Sequence, residues 1–320
     1  MVAEELVRAA YLLLLGREPE NQEVVTAAMG GNADWQSLRW DFLNSLEFRR
    51  VCSPSVITSI HDEAPHIHVE SETDPHTLAR MLDRVQTVWN RLGEEDPYWS
   101  VLTSERFRKD KFHGSSEEFW NSGEDDLKRF TAWMQRNELC IRGSDTVLEY
   151  GCGTGRVTMW LARMFSRVIA YDISRTHLQL AEEHLARVNE TAELRHISID
   201  GLDQLPKVDV IFSTLVLQHN PPPVIRHILG CLLGALTPGG IAYLQFPTYC
   251  DNYEFRIERY LNPTEPAPEP APMEMHVLPQ RVAFEVIAEQ DCAVIEVAPD
   301  SLTGSAQFVS TTFLIRKNQV

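Results

Sequence analysis

The chain has 320 residues, 43% hydrophobic and 23% charged, an ordinary globular composition with room for one large domain and a smaller unit. Its 29 Lys and Arg against 46 Asp and Glu leave a formal net charge of -17, a field that repels phosphate backbones, and no local basic patch offsets it. A nucleic-acid substrate is therefore excluded, and protein, metabolite or glycan substrates fit better. The six cysteines are scattered with no C-x-x-C pair. That argues against a zinc ribbon or thioredoxin-like site, leaves no metal expected, and points to a reducing, cytoplasmic setting.

Residues 1–50 read as a small all-α domain. The apolar run Ala9 to Leu15 is too short to span a bilayer and follows Glu4 and Glu5. Val7, Ala10, Tyr11 and Leu14 fall at helical spacing, which predicts a core-facing helix ended by Gly16. A second helix is expected from about Pro19 to Gly30-Gly31. A third starts at an Asp34 N-cap and carries Trp35, Leu38, Phe42 and Leu46 on one face. The string "LVRAAYLLLLGREPE…FLNSLEFRR" resembles a domain family of unknown function akin to phycobilisome linker repeats, matching at Tyr11, Gly16, Arg17, Pro19, Phe42, Leu43, Ser45, Glu47 and Phe48. The resemblance implies an accessory module found beside enzymes of surface-polysaccharide assembly, and with it a protein partner and a glycan acceptor.

Residues 51–76 read as a linker interrupted by Pro54, Pro65 and Pro75. Its His61, His66, His68 and His76 fit no standard metal-ligand spacing and read as solvated. Residues 77–145 form a helical, aromatic-rich extension in which a helix is expected over Thr77–Leu92. Tyr98, Trp99 and Trp120 are candidates for a lid or substrate contact, with simple packing against the sheet as the equal alternative.

From residue 146 to 320 the pattern alternates strand and helix in the doubly wound manner. Strands are expected near 146–150, 167–171, 193–198, 208–213, 240–245, 293–297 and 310–316, and helices near 156–165, 174–188, 224–236 and 279–290. Residues 249–275 are expected to form a proline-rich, exposed insertion. The chemistry sits in "TVLEYGCGTGRVTMWLA", where an apolar strand runs through Glu149 into Gly151, Gly153 and Gly155 and then a helix. Glycines suit a tight strand-to-helix turn whose backbone approaches a ligand closely. A dinucleotide fold wants G-x-G-x-x-G, but Arg156 stands where its last glycine would be, and no phosphate-binding lysine follows.

"E-x-G-x-G-x-G" resembles the first motif of class I S-adenosylmethionine-dependent methyltransferases. Asp172 ends the second strand of that pattern, where an acid can accept both ribose hydroxyls. The resemblance implies a doubly wound, seven-stranded, mostly parallel sheet, S-adenosylmethionine as cofactor, and in-line methyl transfer to an O or N nucleophile. It implies cofactor contacts from Glu149, Gly151, Cys152, Gly153, Gly155, Asp172, Ile173, Asp200, Gly201 and Leu215, with Asp203 competing with Asp200 for the adenine edge. His219, on the loop after the fourth strand, is the candidate general base. A non-methyl transferase on the same fold, or a non-catalytic cofactor-binding regulator or assembly subunit, is the alternative.

Overall fold

The computed structural model describes residues 2–45, 47–48, 59–60, 63–262 and 272–319, apart from the side chains at 44, 199 and 200. Leu46, Pro54, His61 and most of "NPTEPAPEPAPMEM" lie outside the described residues. The chain divides into two compact units, Met1–Ser59 with Ser301–Gln307, and Ile60–Asp300 with Phe308–Val320.

In the first unit, helix α1 (Glu4–Ala10) continues into a π-helical turn over Tyr11–Leu15. Gly16 stops it at φ 69, donating its N–H to the Leu12 carbonyl. Helix α2 (Gln22–Gly31) starts later than expected, because the Asn21 side chain, not Pro19, supplies the cap by accepting from the Val24 N–H. Helix α3 (Trp35–Asn44) opens with a reciprocal capping box between Asp34 and Ser37. Val7, Val25, Leu38 and Phe42 form the core. Trp35 departs from the expected stripe and is 56% exposed, since it sits in the first helical turn beyond that core.

The second unit opens before the expected domain start. Ile67 is buried, and strand β1 (His68–Val69) pairs in parallel with β7 (Glu254–Phe255). The described end of the supposed linker is thus packed structure, tied down by a partner far away in sequence. Residues 249–262 likewise depart from the exposed loop expected there: Tyr249 and Phe255 are buried, and helix α11 (Ile257–Leu261) follows. Helix α4 (Pro75–Glu95) is capped by Asp74 and has Pro75 in its first turn; α5 (Pro97–Val101) and α6 (Ser116–Arg136) complete the extension.

The sheet contains β2 (Thr146–Tyr150), β3 (Arg167–Asp172), β4 (Glu193–His196), β5 (Val208–Ser213), β6 (Leu236–Cys250), β8 (Cys292–Asp300) and β9 (Phe308–Lys317). Its seven strands run β4-β3-β2-β5-β6-β9-β8, and β9 alone is antiparallel to its neighbours. This is the doubly wound, mostly parallel architecture expected. Side chains alternate across it as a period of two requires. Leu148, Ile169 and Ile211 face one core with α10 (Pro222–Ala235) and α12 (Gln280–Glu289). Val147, Val168 and Val210 face the other core, with α6 and α7 (Thr158–Met164). Helices α8 (Arg175–Val188) and the short α9 (Ile199–Leu202) follow β3 and β4.

Strand order reverses between β2 and β5, and open α/β sheets bind ligands at the carboxyl ends of strands beside such a switch point. Gly123 on α6 presses directly on the turn that follows β2. A Cβ there would lie 2.2 Å from the Arg156 carbonyl oxygen, so only glycine lets this helix approach.

Candidate cofactor site

At the carboxyl ends of β2, β3 and β5 lies a cavity of about 840 Å³, open mouth included, lined by Glu149–Gly153, Arg156, Asp172, Ile173, Ser213–Val216 and Asn220. The turn after β2 is built as its glycines predict. Gly151, Gly153 and Gly155 stand at φ 79, 54 and 86, and the N–H groups of Gly151 and Cys152 both donate to the Tyr171 carbonyl. A Cβ on Gly151 would sit 2.3 Å from the Val216 methyls, and one on Gly153 would sit 2.8 Å from Val101. Both positions therefore need glycine for conformation and for space.

Asp172 is only 9% exposed. One carboxylate oxygen accepts from the Gly153 N–H and the other from the Ser174 N–H, each at 2.8 Å. The acid at the end of β3 thereby fixes the glycine turn after β2. Across the cavity Leu215 holds φ 63, rare for a branched side chain, and its N–H donates to Gln245 Oε1 at 2.7 Å. Gln245 in turn donates to Ser310, and Ser310 to Asp300. The strained residue is thus held by a buried polar chain from β6, β9 and β8, as backbone strain at a ligand clamp requires.

Besides Asp172, two ionisable groups, Arg156 and Glu149, line the cavity. Arg156 is buried, paired to Asp126 Oδ2 on α6 at 2.5 Å and to Ser122, while its Nε has no partner. Glu149 is buried beneath the turn and accepts from Thr158 Oγ1 at 2.6 Å. Burial pushes its carboxyl up to about 7, against the opposing pull of Thr158 and Arg156. The folded state therefore keeps a proton that the unfolded state releases above its ordinary value. This group's contribution is full at low pH and is lost as pH rises through about 7. By pH ~8 the loss is on the order of 3 kcal/mol, at about 1.4 kcal/mol per pKa unit. Glu149→Gln is expected to melt above the wild type near pH ~8 and level with it near pH ~5, measured by calorimetry. Equal melting at both pH values would show that Glu149 is not held neutral.

Of the cofactor residues expected from the sequence, Glu149, Gly151, Cys152, Gly153, Asp172, Ile173 and Leu215 line this cavity together. Gly155 does not. A Cβ there would lie 3.2 Å from that of Ala181, so it serves the packing of the turn on α8. Gly201 is also away from the lining and sits in α9, with Ile197 reaching the cavity instead. The Asp200 side chain is outside the described set. Asp203 lines a different cleft, on α10.

The aromatic candidates are likewise displaced. Tyr98 stacks on Phe112 with ring centroids 3.5 Å apart, Trp99 lies under the Arg108 guanidinium, and Trp120 stacks on His184. Tyr98 and Trp99 thus pack within the extension and Trp120 packs it against α8 of the sheet domain, while Val85 and Trp89 of α4 and Ser100 and Val101 of α5 reach the cavity. The apolar spacing Leu78, Met81, Leu82, Val85, Trp89, Leu92 carried that signal. Burial lowers the pKa of His177, another lining residue missed in the sequence, and its Nε2 meets Ser100 Oγ and the Pro97 carbonyl.

His219 does not line the cavity. Its Nδ1–H donates to the Glu274 carbonyl at 2.9 Å, leaving Nε2 to accept from the Gln218 amide at 3.2 Å. Burial pulls the imidazole down to about 4. Sequence could not supply the partner that turns the ring away, because it is a backbone group 55 residues downstream.

Residues 147–240 match the family model described as a methyltransferase domain. The ubiquinone biosynthesis O-methyltransferase of Dechloromonas aromatica is 26% identical over 45% of this chain and 64% of its own length. The trans-aconitate 2-methyltransferase of Variovorax paradoxus is 32% identical over 39% of this chain and 47% of its own. The chain thus spans less than two thirds of these relatives. The magnesium protoporphyrin IX methyltransferase of Synechocystis, solved with bound SAH, superposes with a TM-score of 0.53 at 14% identity, covering 74% of this chain and 99% of that one. The sheet is the class I methyltransferase sheet. No helix among the described residues is long and apolar enough to cross a membrane.

Proposed function

We propose that this chain transfers the methyl group of S-adenosylmethionine to an oxygen or nitrogen nucleophile on a small molecule. The observation that carries this reading is the Asp172 carboxylate, clamped by two N–H groups at the edge of a cavity floored by left-handed glycines. A carboxylate offers about four lone-pair sites, so two remain for ribose hydroxyls. The unpartnered Arg156 Nε suits a carboxylate such as that of the methionine moiety. When bound, the cofactor supplies an electrophilic methyl group; the protein contributes position, alignment and exclusion of water.

The names of the relatives support a small organic acceptor attacked through oxygen, whereas a glycan acceptor rests on the N-terminal resemblance alone. The test is release of S-adenosylhomocysteine when the protein is given S-adenosylmethionine and a panel of phenols, carboxylic acids and sugars. Tight cofactor binding with no turnover on any class would instead favour a cofactor-binding regulator.

His219 fits a positioning role, its two ring nitrogens bridging the Gln218 loop and residue 274. Once an acceptor is found, His219→Asn is expected to keep cofactor affinity and lower kcat by less than the ~100-fold typical of a lost general base. Loss of the acid limb of the pH–rate profile, near the His219 value of about 4, in that variant would restore the base role.

The N-terminal unit is proposed as an accessory module, dispensable for cofactor binding. A chain starting at Ile60 should bind S-adenosylhomocysteine as the full chain does. One starting at Thr77 should melt several degrees lower, because it loses the β1–β7 pairing, the Glu70 bond to the Ile257 N–H and the Pro65 acceptor of Tyr249. Weak binding by the Ile60 chain would overturn the modular reading.

A further inference from the structure

Helix α10 carries His227 and Cys231 one turn apart, so their side chains share a face, and Asp203 at the end of α9 closes a triangle with them. Cys231 Sγ lies 3.6 Å from Asp203 Oδ1 and 3.7 Å from His227 Nε2, and the last two atoms are 3.9 Å apart. These are nearly the edges of one face of a tetrahedron. With metal–sulfur bonds of about 2.3 Å and metal–nitrogen or metal–oxygen bonds of about 2.0–2.1 Å, tetrahedral angles give edges of about 3.5 Å to sulfur and about 3.3 Å between nitrogen and oxygen. The sulfur edges need movement of only about 0.1–0.2 Å and the remaining edge about 0.6 Å. Asp203 is the ligand free to supply that movement, its side chain being 70% exposed.

We propose that Asp203, His227 and Cys231 form a binding site for a divalent transition-metal ion of the zinc class, with the fourth position open to the cleft. Thiolate and imidazole donors select such ions over calcium or magnesium, which take all-oxygen shells. The site is separate from the cofactor cavity: its cleft is lined by Lys207 and Ala235, at the amino ends of β5 and β6. Arg226, the guanidinium on that cleft, is balanced by Glu72, Glu285 and Glu289, so its charge does not bar a cation. On binding, the Cys231 thiol proton passes to solvent as the sulfur–metal bond forms, and the ion ties α9 to α10. Sequence reading expects no metal, since the donors form no local motif and one of them comes from a different helix.

The test uses the full chain. Cobalt(II) titrated into the protein should give one equivalent of tetrahedral complex with a sulfur-to-metal charge-transfer band. Zinc should displace it and raise the melting temperature by several degrees. Cys231→Ser should abolish that band, and His227→Ala should weaken zinc, measured by competition with a chromophoric chelator, about 100-fold or more. Both variants should keep wild-type affinity for S-adenosylhomocysteine, which also shows that they are folded. His66→Ala with His68→Ala should leave the metal affinity unchanged. Cobalt bound without the charge-transfer band, no binding at all, or retention of affinity in both single variants would overturn the proposal.

Discussion

Asp126→Ala is expected to destabilise the protein by about 3–5 kcal/mol, the cost of stranding a buried charge. Asp126 and Arg156 are 3% and 4% exposed, and Arg156 would be left with only the Ser122 hydroxyl. In this size range that corresponds to a fall in melting temperature on the order of 5–15 °C. The double variant Asp126→Ala with Arg156→Met removes the stranded charge as well and should recover much of the loss. If the double variant is no more stable than the single one, the penalty is not electrostatic. Arg156 also faces the cavity, so the double variant should bind S-adenosylhomocysteine poorly even when its stability recovers.

Asp172→Ala carries the largest expected effect on binding. It removes the acceptor of the Gly153 and Ser174 N–H groups together with the proposed ribose contact. One hydrogen bond to a charged group is worth about 1.5–3 kcal/mol, roughly tenfold to 150-fold in affinity. The loosened turn places the expected loss at the upper end of that range. Asp172→Asn keeps an oxygen for one N–H and should fall between alanine and wild type. Calorimetric titration with S-adenosylhomocysteine decides; unchanged affinity in the alanine variant would remove the basis of the proposed function.

The sheet was legible because its central strands are short runs dominated by β-branched and apolar residues, each broken by a single acid, as in Thr146–Tyr150 with Glu149 and Val208–Ser213 with Asp209, and their ends fall where expected. The glycine turn was legible because positive φ leaves a chemical mark, the bare glycine. What stayed hidden depends on distant partners. β1 is two residues long and exists only through its pairing with β7. Arg156 read only as a break in a dinucleotide motif, because its carboxylate partner lies on α6, thirty residues earlier in the chain. Tyr98, Trp99 and Trp120 were conspicuous as aromatics, but composition does not say which side of a short helix meets the cavity; Trp89 and Val101 do.

Strand β9 follows every other strand of the sheet in chain order, yet it lies inside, between β6 and β8. Its Phe313, Leu314 and Ile315 are fully buried. During synthesis β6 must therefore wait with one edge unpaired until residues 308–317 have left the ribosome. A message cut short before Phe308 would yield a chain with nearly all of its cofactor cavity encoded but an apolar edge open to pairing with other chains. Such a product should be cleared by proteases or aggregate rather than persist as a partly active form. For this sheet, translation is an all-or-none commitment, settled by its final strand.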